Sequence, residues 1–230
     1  MTTTLTYLEI MEMEQRKRAQ LINSISGFRS TALIGSIDEA GQTNVAIFSS
    51  IVHIGSNPPL LSFIMRPDSV ERHTLSNITS TGYYTINHIH KNIYEQAHQT
   101  SARYPKLVSE FDATGLTPEY KNEFVAPFVK ESQIQIAMEF KERVTIEINQ
   151  TSMVIGEIKA VYFPSSCLEL DGFINLATKA MPYVSKAFEV AYSSLSAFLQ
   201  SLGKVGEAVG KILKGDFAGA WQSAKSSVTD

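Results

Sequence analysis

Residues 133–148 read QIQIAMEFKERVTIEI, and residues 152–163 follow with SMVIGEIKAVYF. In the first stretch Ile134, Ile136, Met138 and Phe140 recur at every second position, which puts them on one face of an extended chain. The two stretches predict strands. Toward the N-terminus, 82–89 (GYYTINHI), 60–66 (LLSFIMR), 44–54 (NVAIFSSIVHI) and 28–37 (FRSTALIGSI) are short and rich in β-branched and aromatic residues. Turn chemistry separates them: Asp38 to Gly41, Gly55 to Pro59, and Arg66 to Ser69. Residues 70–79 predict a short helix between two strands, and residues 7–23 a helical N-terminal arm. Many short strands with few helices predict a mainly β chain, a barrel or a sandwich. Alternating βαβ units and a G-x-G-x-x-G motif are both missing from the sequence, which argues against a dinucleotide-binding Rossmann domain.

Residues 90–130 break the pattern, with prolines at 105, 118 and 127 among polar and aromatic residues. So long an excursion predicts structure of its own, of the kind that often carries a binding site. Apolar residues make up 43% of the chain and charged residues 19%, an ordinary globular balance. A net charge of −3 predicts no nucleic-acid surface. Cys167, the single cysteine, allows no internal disulfide and suits a reducing, cytoplasmic setting. The first residues lack the pattern of a secretory signal, and no apolar run reaches the roughly 18–20 residues of a bilayer span.

Three motifs in order narrow the reading. They are TNVAIFSS at 43–50, PPLLSF at 58–63, and Arg66-Pro67 followed by RHTLSNI at 72–78. Together they resemble the flavin-reductase-like family. The resemblance continues through Ser109-Glu110-Phe111, Gly115-Leu116, Ala126-Pro127, Glu131-Ser132 and Asp171-Gly172-Phe173-Ile174, covering about residues 23–178. It implies an FMN-binding split β-barrel with short helices, and a homodimer with FMN near the subunit interface. It also implies hydride transfer from NADH or NADPH to the flavin, with electrons passing to a small-molecule or protein acceptor. In the family, a strand with the Asn-x-Ala-x-Phe-Ser pattern lines the isoalloxazine, and a helix opened by Thr and Asn holds the phosphate.

The residues suit that chemistry on their own terms. A phosphate wants backbone N–H groups at a helix start, hydroxyls and a cation. Arg66, Thr74 and Asn77 fit these needs, with His73 beside them as either a phosphate ligand or a packing histidine. The ring wants small donors and an apolar wall. Ser30, Thr31, Asn44, Phe48, Ser49 and Ser50 are the candidates. The competing reading makes the serines plain strand hydroxyls and Arg66 a solvated charge. No acid, base or nucleophile is required of a side chain, because the flavin carries the redox chemistry. His88 and His90 point to one side of a strand end, but lack a third ligand for a metal at suitable spacing. Arg103, in the loop 98–104, faces either the nicotinamide side or a second subunit, and Cys167 reads as a spectator thiol. A non-catalytic flavin carrier is the nearest alternative function.

The chain from 181 to 230 departs from the family. Phe188, Ala191, Leu195, Phe198, Leu202, Val205, Val209 and Ile212 step by threes and fours, a heptad seam of about four heptads. Gly203, Gly206 and Gly210 interrupt it, each costing roughly 1 kcal/mol against Ala in a helix. The expected organisation is a barrel domain over 1–180 and an amphipathic helical extension over 181–230. The extension packs on its own barrel, assembles with other copies so that the barrel serves as its scaffold, or less readily meets a membrane.

Overall fold

The computed structural model describes residues 2–27, 29–67, 73–105 and 107–176. The segment 181–230, with its heptad seam and helical extension, lies outside the described residues. Contacts divide the chain into one unit ending at Phe163 and another beginning at Pro164.

The first unit is built on seven antiparallel strands: β1 (Ala32–Ile37), β2 (Thr43–Phe48), β3 (Val52–Ser56), β4 (Pro59–Met65), β5 (Tyr83–His88), β8 (Gln135–Ile146) and β9 (Thr151–Tyr162), in the order β2-β1-β5-β8-β9-β4-β3. Two-residue strands β6 (Pro118–Glu119) and β7 (Phe128–Val129) form a separate small ladder. Four strands separate β2 from β4 in the sheet order, yet the two meet. The Phe48 and Phe63 rings pack edge-on with centroids 4.9 Å apart, and Ile64 N donates to Ser50 Oγ at 3.0 Å. The sheet is therefore rolled upon itself, as a split barrel requires.

The predicted strand 44–54 is two strands. Ser49, Ser50 and Ile51 leave the β1–β2 ladder, and β3 then pairs with β4. At the break, Ser50 Oγ accepts from Ile64 N and donates to Ile64 O, hydroxyl–backbone bonds in place of a strand pairing. The N-terminal arm is also two pieces, α1 (Tyr7–Glu12) and α2 (Gln15–Ile25). Thr6 and Glu9 close a capping box on α1, while the Glu14 carboxylate accepts from Arg16 N and Lys17 N to start α2. Neither helix buries a residue.

β1 separates two cores. Ala32 and Ile34 point into the barrel with Phe63, Tyr84, Ile86, Met138 and Val154. Leu33 points the other way and joins Val45, Ile93, Ala97, Phe111, Leu116 and Val129. This second core belongs to the excursion 90–130, which carries α4 (Tyr94–Gln99) and α5 (Glu110–Thr114). Buried Asn87 fastens it, donating to Leu33 O and Thr85 Oγ1 and accepting from Val129 N at 3.0 Å. The excursion also explains why β8 is buried on both faces from Gln135 to Met138 instead of alternating. Gln135 Nε2 donates to Val129 O at 2.7 Å on the face away from the barrel.

In the second unit, Leu168 and Ile174 form an isolated antiparallel bridge, and Cys167 is buried with its thiol free. No described helix is long and apolar enough to cross a membrane.

Candidate functional site

Helix α3 (His73–Thr81) presents Thr74, Leu75, Asn77 and Ile78 to the protein, the spacing of one helical face. Gly82, at φ +77°, stops it and donates to Ile78 O at 2.9 Å, a left-handed C-terminal cap. Leu75 and Ile78 enter the barrel core, while Thr74 and Asn77 meet the far end of the β1–β2 ladder.

There the sequence-predicted residues form a buried polar cluster. Asn77 Nδ2 donates to Ser36 Oγ at 3.2 Å. With its amide turned so that donors face acceptors, Asn44 Nδ2 donates to Glu110 Oε2 at 3.1 Å and its Oδ1 accepts from Thr74 Oγ1 at 3.0 Å. Thr43 and Ser109 share a hydroxyl bond of 2.8 Å beside it. Burial raises the Glu110 carboxyl above the ordinary carboxylate value, opposed by the Val45 N–H and the nearby His73. His73, Asp38 and Val108 rim the entrance, and the cavity inside holds about 10 Å³. That is room for about one water, far below a cofactor pocket of several hundred Å³.

The remaining predicted residues converge elsewhere, where β1 begins and β2 ends. Ala32 pairs with Phe48, so Ser30 and Thr31 run out past one strand end as Ser49 and Ser50 run out past the other. Ile51 N donates to Ser30 O, and Ser50 Oγ takes the N–H of Ile64, which brings in the end of β4 and, two residues on, the exposed Arg66. Phe48 is half-buried and supplies an aromatic wall against Phe63. Ser30, Thr31 and Arg66 are exposed here, and hydroxyls, a cation and an aromatic wall are the groups a phosphorylated isoalloxazine needs.

Thus the ten candidates separate into a rim of Ser30, Thr31, Phe48, Ser49, Ser50 and Arg66, and a buried group of Asn44, Thr74 and Asn77 with His73 at its mouth. Sequence reasoning did not single out Ser36, Glu110 or Arg29 as site residues. Ser36 and Glu110 complete the buried cluster from β1 and from α5, and Arg29 Nη1 donates to Ser49 Oγ at 3.1 Å on the rim. Glu110 stood within the resemblance motif 109–111, and the DEAG turn after β1 gave a local signal near Ser36. Asp38 Oδ1 accepts from Ala40 N and Gln42 N, and Gly41 takes φ +86°, which sets where Thr43 and Asn44 begin β2.

His90 serves the backbone. His90 Nε2 lies 2.8 Å from Glu131 O and Nδ1 accepts from Asn92 N, while His88 is held below its ordinary pKa by burial. Among the described residues no three His, Cys, Asp or Glu side chains gather as a metal would need. Arg103 is exposed.

A rolled seven-stranded antiparallel sheet with a short helix after β4 defines the split-barrel class. The sequence profile of the flavin reductase like domain matches residues 27–176, and the chain belongs to that family. A proposed flavin reductase with a split barrel domain from Shewanella frigidimarina is 51% identical and superposes with a TM-score of 0.74, over 77% of this chain and 88% of that one. Nitrilotriacetate monooxygenase component B from Bacillus cereus, 20% identical, has the same fold at a TM-score of 0.67, over 76% of this chain and 88% of its own. An uncharacterized protein of Aquifex aeolicus is 26% identical over 149 residues, 64% of this chain and 75% of that protein.

Proposed function

We propose that the chain holds FMN along the rim and works as an NAD(P)H-dependent flavin oxidoreductase. The convergence of Ser30, Thr31, Phe48, Ser49, Ser50 and Arg66 from three chain segments carries this reading. In it, Phe48 walls the ring, Ser49 offers a hydroxyl donor to its polar edge, Ser50 holds the chain beside the ring through its bonds to Ile64, and Arg66 meets the phosphate. Asn44, Thr74 and Asn77 fix the start of α3 at the far end of the β1–β2 ladder, and His73 lies beside them. Bound FMN supplies hydride acceptance from NADH or NADPH and onward electron transfer to a small-molecule or protein acceptor.

Membership of the flavin reductase like family and the 51% identical Shewanella protein support the class of activity. The same geometry is what a homodimer would use. Ser30, Thr31 and Arg66 are exposed on the rim, and β3, which starts two residues after Ser50, is an outer strand of the sheet with exposed Val52 and Ile54. A second copy laid on that edge covers the apolar side chains and closes the flavin site. The cytoplasm, with its reducing nicotinamide pool, is the setting we assign.

The visible spectrum of the purified protein tests this. Flavin absorption bands that bleach on addition of NADH or NADPH under anaerobic conditions are expected. Bound FMN without bleaching makes the protein a flavin carrier that exchanges electrons with a partner. A chain that takes up no flavin loses the proposal entirely.

A further inference from the structure

We infer that Arg29 is a positioning residue for the flavin rim: its guanidinium fixes the Ser49 hydroxyl as an outward donor and ties helix α2 to the same point. The inference rests on FMN occupying the rim and adds a residue and a coupling that the reading above does not contain.

Arg29 lies just before the rim's Ser30 and Thr31, and its fork collects acceptors from three places. Nε donates to Ser26 Oγ at 3.0 Å, at the C-terminal cap of α2. Nη2 donates to the backbone carbonyl of Asn23 and, at 3.3 Å, to its Oδ1, both within α2. Nη1 donates to Ser49 Oγ at 3.1 Å. Such a spread of fixed directions belongs to a planar guanidinium; an ammonium on a flexible stem cannot hold it. Since α2 buries none of its own residues, polar ties of this kind are what hold it beside the sheet.

The direction of the Ser49 bond matters most. A serine hydroxyl has one proton and two lone pairs, and an arginine has donors only and stays charged at any ordinary pH. Ser49 therefore accepts from Arg29 and cannot donate to it, which leaves its proton to point away from the guanidinium. Polarised by a cation behind it, that hydroxyl is a stronger donor than an isolated serine. On the rim, its target is an acceptor atom of the isoalloxazine ring. Filling the site then adds a bond to the far end of the Ser49–Arg29–Asn23 chain, so α2 is steadied when flavin binds.

The test uses the full chain as wild type, Arg29→Gln, Arg29→Lys, Ser49→Ala and the Arg29→Gln/Ser49→Ala double variant. FMN affinity, the absorption maxima of bound FMN, and amide exchange across residues 15–25 with and without FMN are measured. Arg29→Gln is expected to weaken FMN by roughly tenfold, the scale of one charge-assisted hydrogen bond. It should shift the flavin bands in the same direction as Ser49→Ala, and the double variant should lose no more than the larger single loss. Arg29→Lys, which keeps the charge and one donor, should fall between. FMN should slow exchange in α2 of the wild type and not of Arg29→Gln. Wild-type spectrum and affinity in Arg29→Gln, or additive losses in the double variant, overturn the inference while leaving the flavin site standing. Failure of the wild type to bind FMN overturns both. Should Arg29→Gln not fold, the same comparison with Arg29→Lys decides.

Discussion

Gly35 sits in the middle of β1, where a side chain has nowhere to go. A Cβ there would lie 2.2 Å from Pro127 O and 2.6 Å from Thr85 Oγ1, both of them fixed by the bond of 2.6 Å between those two atoms. Backbone cannot step aside as a flexible side chain can, so Gly35→Ala should cost about 1–3 kcal/mol. Thermal denaturation of the purified variant checks this, with a clear fall in Tm expected. Arg66 poses the opposite kind of question, since it is exposed and its value lies in what it binds. Arg66→Ala should weaken FMN roughly tenfold, as loss of a bond worth about 1.5–3 kcal/mol implies, and leave riboflavin nearly unaffected, because only FMN carries the phosphate. Equal losses for both flavins in parallel titrations would remove Arg66 from the site. Ser49→Val and Ser50→Val keep the bulk and delete a hydroxyl, so a shift in the bound flavin's absorption or potential is expected from each. The rim serines and Arg66 could be singled out as candidates in the sequence because they lie at predicted strand ends, Ser49 and Ser50 within the motif 43–50. Ser36 was not singled out, and Glu110 stood out only as part of the resemblance motif 109–111, because what marks both as site residues is a partner dozens of residues away and their burial against it.

At the level of elements, β-branched and aromatic runs between turns located the strands of the large sheet, and the period-two alternation read in 133–148 failed where a second layer covers the outer face. β8 shows both outcomes. Ile136, Met138 and Phe140 line the barrel as the alternation requires, but Gln135 and Ala137 are buried as well, beneath the excursion. A glutamine at an apparently solvent-facing position gave no warning that it donates to a backbone carbonyl. The excursion itself was legible as structured, but its apolar residues are too scattered along the chain to announce a second core. One joint between excursion and barrel is Glu110, on α5, reaching Asn44 and the Val45 N–H on β2. Its folded pKa is raised above the ordinary carboxylate value. From about that ordinary value upward the folded state holds the proton more tightly than the unfolded chain, so stability falls as pH rises through the folded pKa. Glu110→Gln keeps an oxygen for Val45 N–H and removes the ionisation. Urea midpoints should therefore favour the variant increasingly as pH goes from about 4 to about 7, and a constant difference across that range would detach Glu110 from the pH dependence. His88 works with the other sign: burial lowers its pKa, so its contribution is lost as pH falls below the ordinary histidine value.

For the whole molecule, the question is how much of the chain the flavin domain needs. The family profile runs to residue 176, and the two cores draw on residues between Ala32 and Val161, all of which precede the heptad seam that opens at Phe188. The seam's periodicity was plain in the sequence, but periodicity does not say what covers it. Left in water, Phe188, Leu195, Phe198, Leu202, Val205, Val209 and Ile212 would make an apolar stripe of a size that soluble monomers rarely show. We therefore propose that the flavin domain does not depend on residues 181–230. A chain ended near Lys179 is expected to fold, dimerise and hold FMN at the same stoichiometry as the full chain. The full chain should then either match the truncated dimer in subunit number, if the extension folds back, or form larger assemblies, if the extension joins copies. Light scattering with flavin quantified on the same samples distinguishes these outcomes. An insoluble or flavin-free truncated chain would make residues 180–230 part of the domain and move its boundary to the end of the sequence.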